Sequence, residues 1–331
     1  MLSRVIFSLL TALAASLLLG FAVLPLLRRF KAGQPVLHYV KEHASKSGTP
    51  TMGGVIFLTA IALSYFIWNG FENNRALVAL GIMLAYGLVG AIDDVLKITA
   101  GKNKGLAAYQ KIIFQLAIAL IAAFFAAQIG SVQIIPFLGV RTDLGGFAAM
   151  LYVFIFLAIT NGVNLTDGLD GLESKVSAVN LVSFSALLCF SLVALSETGQ
   201  SYEYADTLAL LSLCAAAAGA LLGFLFFNAY PAKVFMGDTG SLGLGGLIGA
   251  AAVFSEYALF LPLLGIMFVV SCASVIIQVG YFKATGGRRV FLMAPYHHHL
   301  QQKGMHENHI TTLYFLITVA VCLAAIAFTP L

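Results

Sequence analysis

The sequence predicts an all-α, polytopic integral membrane protein with about ten transmembrane helices. Of its 331 residues, 60% are apolar and only 10% are charged, whereas a soluble domain carries about 25% charged residues. So few charges could not cover a globule of this size in water. Lipid must therefore be the solvent for most of its surface.

Ten apolar stretches approach the length of about 20 residues that a membrane-spanning helix needs. They cover residues 5–27, 53–69, 77–93, 112–129, 147–162, 176–195, 207–227, 240–255, 258–282 and 310–329. The first is too long for a signal-peptide core and no small-residue cleavage site follows it, so we expect it to be retained as a span. The alternation in residues 131–141 predicts a small hairpin. Nothing suggests a second domain, so residues 1–331 are expected to form one transmembrane domain.

The basic residues are distributed unequally between the two sets of loops. All 18 lysines and arginines fall in one set except Arg4, Arg75 and Arg141. Because cytoplasmic loops carry an excess of Lys and Arg, we predict that the richer set is cytoplasmic and that both termini face the outer side. All seven histidines lie in the same set, so an active site is expected to open on the cytoplasmic face.

Several common kinds of site are excluded. The four cysteines lie far apart within apolar stretches, which argues against a disulfide framework or a zinc site. The chain also has neither a Walker loop nor a GxGxxG motif after a strand. The sequence therefore carries no cofactor fingerprint, and nothing predicts a nucleic-acid partner.

The adjacent acids Asp93 and Asp94 end the third apolar stretch, and Lys97 follows them. Acids close to hydrocarbon are costly and usually functional when they face the protein interior. Neighbours on a helix point about 100° apart, so one carboxylate could hold a divalent cation while the other accepts a proton. The alternative interpretation is an interfacial cap with an ion pair to Lys97.

The segment 161–172, NGVNLTDGLDGL, places Asn164, Asp167 and Asp170 at every third residue. If the segment begins as a helix, these side chains lie on one face where the fifth span meets the cytoplasm, and the glycines between them allow a ligand to approach the backbone. A polar turn between helices is the alternative, because Asn, Asp and Gly favour turns.

Asp238 lies between two glycines in FMGDTGSL, residues 235–242. A carboxylate flanked by glycine suits a hard cation or a phosphate-bound metal, and the ring of Phe235 could stack on a base. The alternative is that Asp238 is only the N-cap of the eighth helix.

Two further segments are polar. Residues 46–54, KSGTPTMGG, form a basic turn in which Lys46 and Thr51 could meet a diphosphate. Residues 295–304, PYHHHLQQKG, contain three consecutive histidines, which cannot all bind one metal ion from a single helix because they point in different directions. Together the five segments suit phosphoryl transfer, where catalysis is mainly positioning, a metal ion and charge neutralisation. At a membrane surface they indicate a lipid phosphate as one substrate.

These motifs resemble those of the polyprenyl-phosphate N-acetylhexosamine-1-phosphate transferase superfamily. The matching motifs are Asp93-Asp94-x-x-Lys97, NLTDGLDGL, GDTGSL and PYHHH. Within the superfamily, GTPTMGG, VNLTDGLDGL and the histidine triplet followed by Lys-Gly are similar to the phospho-N-acetylmuramoyl-pentapeptide-transferases. The motifs extend over most of the chain. One departure is that the family usually continues the histidines with an aromatic residue and Glu, where this chain has Leu300 and Gln301.

The resemblance implies a catalytic domain that transfers phospho-MurNAc-pentapeptide from UDP-MurNAc-pentapeptide to undecaprenyl phosphate, giving lipid I and UMP. It implies magnesium (Mg2+) as the cofactor and the bacterial inner (cell) membrane, with its lipid bilayer, as the location. Relatives form dimers, but no homodimer interface stands out in this sequence.

The resemblance also implies roles for individual residues. Asp238 would bind magnesium, and Asp93 and Asp94 would serve the lipid phosphate, one of them as its base. His297 and His298 would line the diphosphate and sugar side. The remaining residues expected to bind substrate are Lys46, Thr51, Lys97, Lys111, Asn164, Asp167, Asp170, Phe235 and His299.

Several alternatives stay open at this point. Either Asp93 or Asp94 could be the base, and a direct attack and a two-step route through an aspartyl-phosphate are both compatible with the residues. The nearest alternative activity uses UDP-GlcNAc as the donor. An ion-coupled transporter is an alternative of another class, but its acids should lie near the middle of the bilayer rather than at the ends of spans. The third alternative, an inactive scaffold, conflicts with the intact acids.

Overall fold

The structure, a computed structural model, describes residues 2–29, 48–72, 74–100 and 105–330. Within these residues the chain is almost entirely helical. The α-helices are α1 (Leu2–Arg29), α2 (Gly54–Asn69), α3 (Asn74–Ala100), α4 (Ala108–Ile129), α5 (Phe147–Thr166), α6 (Leu172–Thr198), α7 (Ser201–Asn228), α8 (Gly237–Phe254), α9 (Leu261–Leu264), α10 (Ile266–Ala284), α11 (Tyr296–Gln302) and α12 (Glu307–Ala327).

Eight of the described helices are long and apolar enough to cross a membrane, namely α1, α3, α4, α5, α6, α7, α10 and α12. The predicted all-α polytopic membrane fold is therefore confirmed. The predicted spans at α2 and α8 are less distinct, because α2 has only 16 residues and α8 is rich in glycine. The count of ten spans and the side of the termini remain predictions.

The ninth predicted span, residues 258–282, is not one helix. It begins with a 3-10 turn, Ala258–Phe260, continues as the single turn α9 and restarts at Ile266 as α10. Proline stands in the first turn of α9, where its missing N–H costs nothing, and Gly265 forms the junction with α10. The prediction of a continuous span was wrong because apolar composition alone does not register such a break.

The predicted hairpin is present. Strand β1 (Val132–Ile134) pairs in antiparallel register with β2 (Arg141–Asp143), and Gln133 on β1 donates a 2.8 Å hydrogen bond to the hydroxyl of Tyr152 on α5. The tip is tied to the C-terminal end of the chain, because the backbone N–H of Phe137 donates to Thr329 Oγ1 at 2.9 Å. The hairpin thus covers one end of the helix bundle, and the acidic motifs lie at the other end.

Helix α8 is the centre of the bundle. All its residues from 239 to 254 are buried, and glycines on neighbouring helices let their backbones approach it closely, as small residues do between membrane helices. A Cβ at Gly90 on α3 would lie only 2.0 Å from the carbonyl oxygen of Asp238, and one at Gly54 on α2 would lie 2.2 Å from the nitrogen of Gly240. The position of Asp238 is therefore set by backbone contact.

This packing predicts that Gly90→Ala destabilises the protein, whereas Gly81→Ala on the same helix does not. The methyl group at residue 90 would push α3 away from α8, and overpacking costs about 1–3 kcal/mol. Gly81 has nothing within 4 Å of an added Cβ, so its replacement should be neutral or stabilising because Ala favours helix. Thermal unfolding of the two variants in detergent measures the difference. Equal melting temperatures would contradict close α3–α8 packing.

Candidate functional site

Asp93 lies inside α3 and is fully buried. Its Oδ2 atom is 2.7 Å from the Nζ atom of Lys97, one turn later, and 2.8 Å from that of Lys111 on α4. Its Oδ1 atom accepts a 2.6 Å hydrogen bond from the backbone N–H of Leu106. Because α3 continues to Ala100, Asp93 does not cap a helix end, although the ion pair to Lys97 expected in that alternative is present.

Asp94 is also fully buried but has a different partner, the N-terminus of α8. Its Oδ1 atom accepts from the backbone N–H of Asp238 at 3.2 Å, and its Oδ2 atom accepts from the backbone N–H and the hydroxyl of Thr239 at 2.9 and 2.7 Å. The first N–H groups of a helix have no partner within the helix, and a carboxylate there is favoured by the helix dipole. The two neighbouring acids thus serve different partners, as their helical spacing predicted.

Asp238 lies in the first turn of α8, and its side chain makes no capping hydrogen bond. The N-cap interpretation was therefore wrong, since Asp94 supplies the acceptors instead. The Oδ2 atom of Asp238 is 2.5 Å from Lys111 Nζ and 3.1 Å from Lys97 Nζ. Its Oδ1 atom accepts a 3.0 Å hydrogen bond from the side-chain amide of Asn164, so both oxygens point into a polar cluster.

Three carboxylates therefore converge at this end of the bundle. Oxygen atoms of Asp93, Asp94 and Asp238 all lie within 4.8 Å of one another, close enough to share a metal ion. Two ammonium groups, from Lys97 and Lys111, lie among them, so the cluster carries one more negative than positive charge when all five groups are ionised. A divalent cation would reverse this sign and leave the cluster attractive to a phosphate.

Asp167 and Asp170 lie in the turn after α5, which ends at Thr166. Asn164, Asp167 and Asp170 therefore do not lie on one helical face, which was expected only if the segment stayed helical. The alternative interpretation of a polar turn between helices is correct. Asp167 accepts from the backbone N–H of Gly237, but burial and, next, the charge of Asp238 raise its pKa to about 7. Its carboxyl group is thus partly protonated at neutral pH.

Asp170 is buried and ties this turn to two other segments. Its Oδ2 atom accepts from the backbone N–H of Ala232 at 2.9 Å, and its own N–H donates to a carboxylate oxygen of Glu307 at 2.5 Å. Asp170 therefore fixes the position of the turn. Whether it also contacts a substrate remains a prediction.

A cavity of about 200 Å³ opens between this turn and the N-terminus of α8. Among the described residues it is lined by Thr51, Lys97, Asp167, Gly168, Leu169, Asp170, Asn228, Phe235, Gly237 and Asp238. Phe235 and Thr51 are held here by backbone pairing, because Phe235 donates to the carbonyl of Pro50 and accepts from Gly53, both at 2.8 Å. The predicted residue Lys46 lies outside the described residues.

The three histidines lie on the short helix α11 and have different surroundings. His297 is fully buried. A Cβ at Gly168 would lie 2.3 Å from Nε2 of His297 and 3.1 Å from Nε2 of His298, so both rings abut the turn that lines the cavity. His299 instead accepts from the backbone N–H of Leu292 and packs against Phe291. None of the three histidines is among the described residues that line the cavity.

Sequence reasoning missed three residues that support this site. Thr239 binds Asp94, Ser241 accepts from the amide of Asn164 at 2.9 Å, and Glu307 holds the turn through Asp170. Thr239 and Ser241 belong to the GDTGSL motif, so their hydroxyls were a signal that could have been used. Glu307 had a weaker signal, a lone acid before the last apolar stretch.

The sequence also matches known families. Residues 76–256 match the family described as glycosyl transferase family 4, and residues 46–58 match the phospho-N-acetylmuramoyl-pentapeptide-transferase signature 1. Curated enzymes named phospho-N-acetylmuramoyl-pentapeptide-transferase are similar along nearly their whole length. The one from Clostridium kluyveri is 44% identical over 97% of this chain and 98% of its own, and the one from Clostridium novyi is 42% identical over 97% and 95%. The chain therefore belongs to the phospho-N-acetylmuramoyl-pentapeptide-transferase family and is a phosphosugar-1-phosphate transferase.

Proposed function

We propose that this protein transfers phospho-MurNAc-pentapeptide from UDP-MurNAc-pentapeptide to undecaprenyl phosphate, giving lipid I and UMP at the cytoplasmic face of the bacterial inner membrane. The observation that carries the proposal is the cluster of Asp93, Asp94 and Asp238 with two lysines beside a polar cavity. The cluster lies where membrane-spanning helices end, so a lipid phosphate in the bilayer and a soluble nucleotide could both reach it. The match of residues 46–58 to the family signature supports the muramoyl donor over UDP-GlcNAc.

Magnesium fits the donor set of this cluster. Carboxylate oxygens are the ligands that this hard cation prefers, together with water and substrate phosphates. Asp238 would hold the ion, because it is the most exposed of the three acids, with 15% of its side chain accessible. When bound, magnesium neutralises charge on the diphosphate and on the leaving UMP. Lys97 and Lys111 would orient the phosphates beside it.

The contacts favour Asp93 over Asp94 as the base. Both oxygens of Asp94 accept hydrogen bonds from the N-terminus of α8, and protonation would remove an acceptor on which the position of Asp238 depends. The Oδ2 atom of Asp93 instead contacts two flexible lysine side chains, which can turn towards an arriving phosphate and leave that oxygen free to take a proton. A phosphate monoester has a second pKa of about 6, so this proton transfer matters most in acidic solution.

Other residues would shape the donor pocket. Phe235 lines the cavity and offers a ring on which the uracil can stack, and Thr51 lies beside it. Asn164 holds one oxygen of Asp238 at 3.0 Å, so it would orient the metal ligand rather than contact the nucleotide. A homodimer would not change this arrangement, because the acidic cluster is built within one chain.

Asp238→Asn is expected to lower turnover at every pH by about a thousandfold, because the loss of several kcal/mol of charge stabilisation has this effect on a rate. Removal of magnesium with EDTA should inactivate the unmodified enzyme to a similar extent. Transfer of a radiolabelled phosphosugar to undecaprenyl phosphate measures activity, and the electron paramagnetic resonance signal of bound Mn2+ measures the metal site. Asp143→Asn on the exposed hairpin is the matched control. Full Mn2+ binding by the Asp238 variant would refute its role as a ligand.

Asp93→Asn is expected to impair mainly the rate of transfer, and Asp94→Asn mainly the stability of the protein. Loss of a general base costs about 10²–10⁴-fold in rate, so the Asp93 variant should be most impaired at pH 6 and recover partly by pH 8, where the acceptor phosphate is fully ionised. Asp94→Asn should instead lower the melting temperature, because a hydrogen bond to a charged group contributes about 1.5–3 kcal/mol. Rate–pH profiles and thermal unfolding separate the two effects. Identical profiles with unchanged stability would contradict this division.

The donor specificity is tested with two nucleotides. We expect transfer from UDP-MurNAc-pentapeptide and none above background from UDP-GlcNAc at equal concentration, because the family signature is that of the muramoyl enzymes. Lipid extraction followed by mass spectrometry identifies the product. A GlcNAc-diphospholipid product would show that the proposed donor is wrong. The protein would still be a phosphosugar-1-phosphate transferase.

A further inference from the structure

A second cavity, of about 350 Å³, lies at the hairpin end of the bundle, away from the acidic cluster. It is bounded by the last turns of α6, the first turns of α7, the C-terminal end of α8 and the hairpin. Its volume falls within the range of about 300–1,000 Å³ that is usual for pockets binding small molecules. Among its described lining residues, none belongs to the proposed reaction, so an occupant would have a separate role.

The charged side chains in the wall of this cavity balance one another. Two are cationic, Arg75 and Arg141, and two are anionic, Glu203 and Glu256. Arg141 and Glu256 form an ion pair with side chains that are 66% and 38% exposed. A pair so exposed contributes little stability, so each partner can exchange it for a group of a ligand. The Nε atom of Arg75 is 3.2 Å from Asp206, and a guanidinium has further N–H donors for a second acceptor.

Glu256 is held in an unusual backbone conformation. Its φ of 66° lies in the left-handed region, which is strained for a residue other than glycine. Its carbonyl oxygen accepts a 2.9 Å hydrogen bond from the backbone N–H of Ile134 on β1, and this contact with the hairpin helps to hold it there. Glycine would adopt this conformation without strain. A glutamate at this position therefore indicates a role for its carboxylate.

The apolar part of the wall continues onto the exposed surface of α6. Phe190 lines the cavity, although 46% of the residue is exposed. Leu188 and Leu195 of the same helix also line it, and Val193 beside them is exposed. Since α6 is long and apolar enough to cross a membrane, a hydrocarbon chain could leave the cavity along this helix. The cavity thus suits an amphiphile better than a wholly soluble ligand.

We propose that this cavity binds the head group of a zwitterionic phospholipid that carries a primary amine, a phosphoethanolamine head. Its phosphate accepts hydrogen bonds from Arg75 and Arg141, its ammonium group donates to Glu203 and Glu256, and an acyl chain lies against Phe190. A head group with both charges matches a wall with equal numbers of both signs. An anionic head group without an amine would be repelled by the two carboxylates. This site does not depend on the proposed function.

Native mass spectrometry of the full-length protein in detergent tests the proposal. The protein is titrated with phosphatidylethanolamine or with phosphatidylglycerol of the same acyl chains, and the dissociation constant of the first lipid to bind is measured. We expect phosphatidylethanolamine to bind more tightly by about fivefold, the effect of one hydrogen bond of ordinary strength. Arg141→Gln should weaken its binding by a similar factor. Glu256→Gln should weaken it as well but strengthen the binding of phosphatidylglycerol, because the wall then carries a net positive charge.

Glu197→Gln is the matched control. It removes the same charge from an exposed residue of α6 that is not among the described lining residues of the cavity, so the binding of both lipids should stay unchanged. Melting temperatures without added lipid should be equal in all variants, because the substituted side chains are exposed. Equal or tighter binding of phosphatidylglycerol by the unmodified protein would overturn the proposal. So would equal effects of Glu197→Gln and Glu256→Gln.

Discussion

The hydrogen bonds between the carboxylate of Asp94 and the N-terminus of α8 are the interaction on which this site depends. They join two helices that are far apart in sequence, and they satisfy backbone N–H groups that would otherwise be buried without a partner. An unsatisfied buried donor costs about 1–3 kcal/mol, so the pairing fixes the start of α8 firmly. Because Asp238 follows immediately, its carboxylate is held against Lys97 and Lys111.

Charge balance explains why the lysines are part of the site. Three carboxylates at the end of membrane helices would repel one another strongly, since little water reaches them to screen their charges. Lys97 and Lys111 offset most of this repulsion by contacting Asp93 and Asp238 together. The same ammonium groups are suited to a phosphate that arrives with a cation, so the contacts that stabilise the cluster can be exchanged for contacts to a substrate.

The sequence predicted the helical membrane fold well because apolar length is a local property, and motifs spread along the chain indicated which residues matter. The sequence could not predict which distant residues the acidic side chains contact. The contact of Asp94 with Thr239 and that of Asp170 with Glu307 join residues more than 130 positions apart, and nothing in a local pattern specifies them. The break before α10 differs, because its signal is local: Pro262 and Gly265 interrupt a stretch that is otherwise apolar enough to read as one span.

The acid cluster and the turn after α5 differ in charge. Asp93, Asp238 and the two lysines form a strongly polar region suited to phosphates. In the turn beside this region, burial and the charge of Asp238 raise the pKa of Asp167 to about 7, and the side-chain amide of Gln301 contacts His298. A carboxyl group that is partly protonated near pH 7 can donate as well as accept hydrogen bonds, and it repels the diphosphate less than a fully ionised carboxylate does. Such a division would keep the phosphates beside the acceptor lipid and leave the uncharged parts of the donor to the turn and the histidines.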